Sequence, residues 1–215
     1  MAELPFDLPF LDRAEAGVLL GERLHRLRLR SPMVLGLPRG GVAVAAPVAE
    51  RLRGALDVLV VRKIGYPFQP ELGVGAVAEG GDPVLDEQLL RRLGLVEEAL
   101  TKVIADARKE LARQVALYRG GRPLPDLTGQ DVLVVDDGLA TGGTARAALR
   151  ALQPKNPATL VLAAPVGARE AKQALSDEAD HVVVLVTPPM FRAVGEWYEH
   201  FNQLSDDDVL DVLSR

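Results

Sequence analysis

The stretch Val132-Leu133-Val134-Val135-Asp136-Asp137-Gly138-Leu139-Ala140-Thr141-Gly142-Gly143-Thr144 decides how this chain is read. Four apolar residues make a short buried strand, and two adjacent carboxylates stand where it ends. A loop of small residues rich in Gly and Thr follows, and Ala145, Arg146, Ala147, Ala148 and Leu149 open a helix. In open α/β sheets, ligands bind at the carboxyl ends of strands, which is where Asp136 and Asp137 fall. Ionised carboxylates accept hydrogen bonds from vicinal hydroxyls. Glycine lets the backbone approach an anion closely, and a helix start turns free N–H groups toward it. The order suits a sugar that carries a phosphate.

Outward from this stretch, apolar runs alternate with helical patterns. Met33 to Leu37 reads as a strand, closed by Pro38-Arg39-Gly40-Gly41. Val42 to Arg53 reads as a helix that Pro47 kinks or delays. Asp57 to Val61 is a second strand, and residues 62–73, with Gly65, Pro67, Pro70 and Gly73, read as a long mobile loop before a short strand at Val74 to Ala78. Glu87 to Tyr118 is mostly helical and divided by Gly94; Leu100, Val103, Ile104, Ala107, Leu111, Val115 and Tyr118 fall on one face. A helix ends near Leu152, and Thr159–Val166 and His181–Val186 are further strands. Runs buried on both faces and separated by helices predict an α/β fold: an open, mostly parallel sheet with helices on both sides. The tail from Thr187 and a helix at about Arg13 to Leu29 are expected to form a small cap, or hood.

Composition narrows the function. The net charge of −5 argues against a nucleic-acid binder. The chain has no Cys, which excludes a thiol nucleophile, a disulfide scaffold and a Cys-based zinc site. Glu3, Asp7, Asp12, Pro5 and Pro9 make the first residues unlike a signal peptide, and no apolar run approaches the ~20 residues of a membrane span. A cytoplasmic protein with no membrane partner is expected.

Two rival phosphate chemistries fail on the residues. A phosphoryl-accepting receiver domain also begins Val-Leu-Val-Val-Asp-Asp. Here the next strand ends Ala163-Ala164-Pro165-Val166 without an acceptor Asp, and the one after ends Thr187-Pro188 without a Lys. A nucleotide kinase would need a Gly-Lys-Ser/Thr phosphate loop, and the chain has none.

The thirteen-residue string resembles, at every position, the phosphoribosyl-pyrophosphate (PRPP) signature of the type I phosphoribosyltransferases. The chain as a whole looks like a group of stand-alone bacterial members, in which the Pro-Arg-Gly-Gly turn, the Arg-Lys-x-Gly segment and the acidic pair occur together. The resemblance implies one phosphoribosyltransferase domain over residues 1–215, with 62–80 as a mobile loop and 187–215 joining the N-terminal helix as the hood. It implies that Asp136 and Asp137 hold the ribose hydroxyls, and that Gly138, Leu139, Ala140, Thr141, Gly142, Gly143 and Thr144 hold the 5′-phosphate. It assigns pyrophosphate to Arg39, Gly40, Arg62 and Lys63, with a non-proline cis peptide at Arg39-Gly40. Ala140 stands where the 6-oxopurine enzymes carry an acidic residue, which counts against hypoxanthine or guanine.

The implied reaction transfers 5-phosphoribose to a nitrogenous base, a step of nucleotide metabolism. Mg²⁺ would travel with PRPP near Asp136 and Asp137 rather than in a protein cage. No catalytic residue is assigned; Glu71 and Glu79 are the acidic candidates for the base proton, against a plainer solvated role. Phe191, Trp197 and Tyr198 are candidates to stack on the base, against a plainer role in packing the hood. His25, His181 and His200 show no catalytic spacing. Members of the family often form homodimers. A non-catalytic PRPP- or nucleotide-binding regulator would carry the same loop and stays open at this point.

Overall fold

Parallel strands need helical crossovers, and the chain supplies them. The computed structural model describes residues 8–214. In chain order the elements begin with α1 (Arg13–Leu24), β1 (Met33–Gly36), α2 (Gly40–Leu52) and β2 (Ala55–Val58). They continue with β3 (Val61–Tyr66), β4 (Gln69–Ala78), β5 (Val84–Leu85), α3 (Glu87–Leu93) and α4 (Thr101–Arg119). The last are β6 (Asp131–Val135), α5 (Gly143–Leu152), β7 (Thr159–Val166), α6 (Arg169–Ala174), β8 (His181–Val186) and α7 (Asp206–Leu213).

A five-stranded sheet in the order β2-β1-β6-β7-β8 is parallel throughout. One face packs on α5 through Val132, Val134, Leu160, Leu162 and Leu149, and the other on α1 and α2 through Leu133, Val135, Val161, Leu20 and Val48. This is the predicted architecture, with helices on both sides. β8 is an edge strand and only partly buried, unlike β7, which is buried almost throughout. From β1 the chain runs outward to β2, whereas from β6 it runs the other way to β7 and β8. The order therefore reverses between β1 and β6, which is where such sheets form their ligand crevice.

Two expectations are corrected. The run from Asp57 to Val61 is not one strand. β2 ends at Val58 and β3 starts at Val61, with Val58, Leu59 and Val60 fully buried where the chain passes from the main sheet to a second one. The segment 62–80 is not a loop but most of an antiparallel hairpin, β3–β4, which with β5 makes a three-stranded sheet. Its glycines and prolines mislead because the hairpin absorbs them in register shifts at Ile64/Gly65/Tyr66. A Cβ on Gly65 would lie 2.5 Å from the Pro70 carbonyl oxygen, so the strands approach too closely there for a side chain. Pro47 lies inside α2 without ending it. Gly94, left-handed at φ 64°, closes α3 as expected. Among the described residues no helix is long and apolar enough to cross a membrane.

The hood is narrower than predicted. Residues 10–11 run beside 197–200: the Phe10 N–H donates to Trp197 O at 2.9 Å, and Glu199 and His200 N–H donate back to Phe10 and Leu11 O at 2.8 and 2.9 Å. Phe10, Tyr198, Phe191, Trp197 and Phe201 cluster there with Val166 and Val186. α7 departs from the hood and packs with Val42, Val58 and Tyr118.

The second sheet is fastened by Arg119, which is 2% exposed. Its guanidinium pairs with the Glu79 carboxylate and donates to Val58 O at 3.2 Å, while Glu79 N–H donates to Val60 O at 2.9 Å. The end of α4 is thereby tied to the crossing between the sheets. Removing one partner of a buried pair leaves an uncompensated charge, at about 3–5 kcal/mol. Arg119→Met is expected to lower unfolding stability in urea by that order, and the double variant Arg119→Met/Glu79→Gln to recover most of it. A double variant no more stable than the single one counts against the pairing.

Candidate functional site

The crevice between β1 and β6 is built from two turns that press on each other. Gly36 is in register with Val135, and Leu37 N–H donates to Val135 O at 2.8 Å. Beyond them, Pro38–Gly41 leads into α2 and Asp136–Gly142 leads into α5. A Cβ on Gly41 would lie 2.5 Å from Val135 O and 2.9 Å from Asp136 Cα. A Cβ on Gly40 would overlap the Asp137 carboxylate and reach 2.9 Å from Arg13 Nε. The Gly-Gly pair is therefore required by close approach to the acidic pair.

The non-proline cis peptide is Pro38-Arg39, one bond before its expected position. Arg39 is already the N-cap of α2, at φ −96° and ψ −39°, so the Arg39-Gly40 bond belongs to the helix start. The Arg39 residue lines a groove of about 220 Å³ with Leu204, Asp208, Asp211 and Val212 of the C-terminal region.

The loop after β6 is anchored by Leu139, which is 1% exposed; its N–H donates to Val166 O at 2.9 Å, and its carbonyl accepts from Ala168 N–H at 2.8 Å. That anchor leaves Ala140 and Thr141 exposed. Gly142, at φ 77°, turns the chain into α5 as its N-cap, without a side-chain cap. Arg146 N–H is the donor that closes the first turn, on Gly142 O at 2.9 Å. The N–H groups before it have no intrahelical acceptor, so the start of α5 is suited to an anion.

Asp136 and Asp137 stand side by side at this point. Burial pushes the Asp136 carboxyl well above the usual carboxylate range, and the neighbouring charge of Asp137 adds to it. The Asp137 N–H donates to Asp136 Oδ1 at 2.9 Å. Burial also raises Asp137, against the opposing effect of Arg13, whose Nε lies 2.8 Å from Asp137 Oδ2. Arg13 further donates to Asn202 O at 3.0 Å and lies 3.9 Å over the Phe201 ring. Tyr198 donates its hydroxyl to Asp137 O at 2.6 Å; burial and then the Asp137 charge raise its own pKa, so it stays a donor.

The other predicted residues divide. Arg62 and Lys63 face opposite sides of their sheet. Arg62 pairs across with Val77, which packs with Ile64 and Leu111 on the α4 side, and its charge acts on Glu110. Lys63 pairs with Ala76, which belongs to the core shared with α5, and its stem lies against Gly73. Glu79 is committed to Arg119, and the side chain of Glu71 lies outside the described residues. Tyr198 is packed between Phe10 and Phe201, at ring-centroid distances of 5.6 and 5.0 Å. Trp197 joins the same cluster, and its buried indole N–H has no hydrogen-bond partner among the described residues. Phe191 lines a cavity of about 540 Å³ with Arg169, Glu170, Met190 and Arg192. Sequence reasoning misses Arg13, because nothing local sets it apart from other helix-start arginines.

Residues 14–199 match the family described as the phosphoribosyl transferase domain. Two curated proteins of Mycobacterium tuberculosis, from strains CDC 1551 and H37Rv and provisionally named phosphoribosyl transferases, are 45% identical over 206 residues. That covers 96% of this chain and 46% of each relative, so the chain spans about half the length of the curated relatives it matches. The crystal structure of TT1426 from Thermus thermophilus is 45% identical with a TM-score of 0.80, over 95% of this chain and 97% of that one. A hypothetical protein from Neisseria gonorrhoeae, crystallised with bound ppGpp, shares the fold at a TM-score of 0.54 and 15% identity, over 94% and 91% of the two chains.

The raised carboxyls make a pH dependence with an unusual sign. A carboxyl whose folded pKa lies above its unfolded one binds its proton more tightly when folded, so ionisation opposes folding. The pair's contribution is constant below about pH 4. Stability then falls as pH rises through the raised folded values, and levels off above them. Asp136→Asn keeps an acceptor for the Asp137 N–H and removes the buried charge. The variant should melt higher than the parent at pH 8, by roughly 2–4 °C per kcal/mol recovered, and the difference should shrink toward pH 4. A variant that melts lower at pH 8 would falsify the assignment of a buried, unfavourable charge.

Proposed function

The chain belongs to the phosphoribosyl transferase family, and on that premise we propose that it transfers 5-phosphoribose from PRPP to a nitrogenous base with release of pyrophosphate. The observation that carries this reading is the meeting of two adjacent carboxylates with an uncapped helix start, in the crevice where the strand order reverses. Asp136 and Asp137 accept hydrogen bonds from the ribose hydroxyls. The N–H groups from Ala140 to Thr144, at the start of α5, bind the 5′-phosphate; Leu139, expected among these ligands, is instead the buried anchor of the loop, with its N–H on Val166 O. The Arg39-Gly40 turn and Lys63 attract the pyrophosphate; Arg62, on the opposite face of its strand, is assigned a structural role.

In the reaction the bond from C1′ to the pyrophosphate oxygen breaks and a bond from C1′ to a base nitrogen forms, and the base gives up a proton. The protein needs no nucleophile for this: it orients the reactants and stabilises the departing charge. The buried pair offers the hard oxygen chemistry that suits Mg²⁺ carried on the oxygens of PRPP, beside Asp136 and Asp137. When bound, the ion supplies charge neutralisation to the leaving pyrophosphate. Phe191 lines a cavity with Arg169, Glu170 and Arg192, and the base is assigned there. Ala140 supplies no carboxylate to a 6-oxopurine, so adenine-like or pyrimidine bases are favoured over hypoxanthine and guanine.

Pyrophosphate release should be followed with PRPP, Mg²⁺ and a panel of bases. Turnover is expected with at least one base other than hypoxanthine or guanine. Asp137→Asn should weaken PRPP binding by about tenfold or more, equivalent to about 1.4 kcal/mol. PRPP binding without turnover on any base would make the protein a PRPP-binding regulator, and absence of PRPP binding would remove both readings.

A further inference from the structure

Arg13 is set in place from outside the strand–loop–helix unit that carries Asp137. It is the first residue of α1, whose N-cap Asp12 accepts from Glu15 N–H at 2.9 Å. α1 lies tightly on α2: a Cβ on Gly17 would lie 2.5 Å from Val44 O, and one on Gly21 3.0 Å from Arg51 Cβ. The guanidinium is held on three sides, by the Asp137 carboxylate, the Asn202 carbonyl and the Phe201 ring. The two ion-pair side chains are 11% and 17% exposed, so this is an ordered contact largely out of water and not a solvated surface pair. The family match ends at residues 14 and 199, so Arg13, Phe201 and Asn202 all lie just beyond it. Both flanks of the family segment thus converge on one carboxylate, and Tyr198 holds the carbonyl of the same residue.

We propose that Arg13 is a positioning residue of the ribose site: it holds Asp137 by one carboxylate oxygen, leaving the other for a sugar hydroxyl, and rests on Phe201 and Asn202 to do so. This rests on the reading of Asp137 as a ribose ligand. A carboxylate has acceptor capacity for both partners at once, so Arg13 stays in place when the sugar binds. Its Nε–H donates along one direction from a planar group, which fixes the rotamer of the carboxylate as well as its charge. A lysine keeps the charge and loses that directional fork. Gly40, packed against the same two side chains, leaves the carboxylate no room to turn away.

The test compares three ligands by calorimetry, PRPP, ribose 5-phosphate and inorganic pyrophosphate, on the full chain and on Arg13→Gln and Arg13→Lys. Arg13→Gln should weaken PRPP and ribose 5-phosphate by about tenfold or more, while pyrophosphate affinity stays within about twofold. Arg13→Lys should lie between the parent and Arg13→Gln. Equal losses for all three ligands, or none, overturn the proposal, because a structural staple has no reason to favour the ribose-bearing pair. If the unaltered chain binds pyrophosphate but prefers neither sugar ligand, the ribose reading itself fails and this inference with it. If Arg13→Gln does not fold, Phe201→Leu carries the comparison, since it removes the supporting ring and keeps the charge. It should show the same selectivity to a smaller extent, and a uniform loss overturns the proposal there too.

Discussion

Two carboxylates on consecutive residues, at the end of a strand buried on both faces, are the constraint that the surrounding structure answers to. Such a pair repels itself and loses hydration, and each effect favours the protonated form. The protein offsets this with two contacts, the Asp137 N–H on Asp136 and the Arg13 guanidinium on Asp137, while the Tyr198 hydroxyl holds the Asp137 backbone carbonyl. The offset is incomplete, since both carboxyls stay raised. A site left with unfavourable charge in the free protein favours a ligand that brings hydroxyl donors and its own cation.

The surroundings follow from accommodating that pair. Gly40 and Gly41 are glycines because the pair lies against them, and β1 stands beside β6 so that this turn meets that loop. The parallel sheet brings both strand ends to one edge, and its reversal of order opens the space between them. Leu139 is buried so that the loop beyond it is held out to solvent. The hood adds aromatic packing around Tyr198, which keeps its hydroxyl on the Asp137 backbone. The second sheet packs on α5 through Val61, Ala76 and Ala78 and is fastened by the pairing of Arg119 with Glu79.

Much of this is legible in the sequence because the strands are buried on both faces and their apolar runs have clear ends. β7 and β8 occupy the expected residues, and β6 begins one residue earlier than expected. The strand–loop–helix unit at Asp136 is readable because its residues serve local geometry: Gly142 supplies the left-handed turn and the small residues after it start a helix. The β3–β4 hairpin is hidden by Gly65, Pro67, Pro70 and Gly73, whose loop-like composition is absorbed by bulges that only strand pairing reveals. The break between β2 and β3 is hidden because a buried crossing is as apolar as a strand. Arg62 and Lys63, neighbours in sequence, are separated by the alternation of a strand whose composition reads as a loop. Arg13 and the Tyr198 hydroxyl are not legible at all, because their partners lie far away along the chain.

That last separation has a consequence of its own. The pairing of Phe10 with Tyr198 closes a loop that encloses every strand of both sheets among the described residues. Closing so long a loop carries a large entropy, and the contacts at its neck must outweigh it before they add any net stability. The neck adds one more such closure to that of the sheet, where Met33 of β1 pairs with Val132 of β6 across an intervening stretch about half as long. The finished geometry of the crevice reports on the integrity of both flanks of the domain, although neither flank contributes a strand to the sheet.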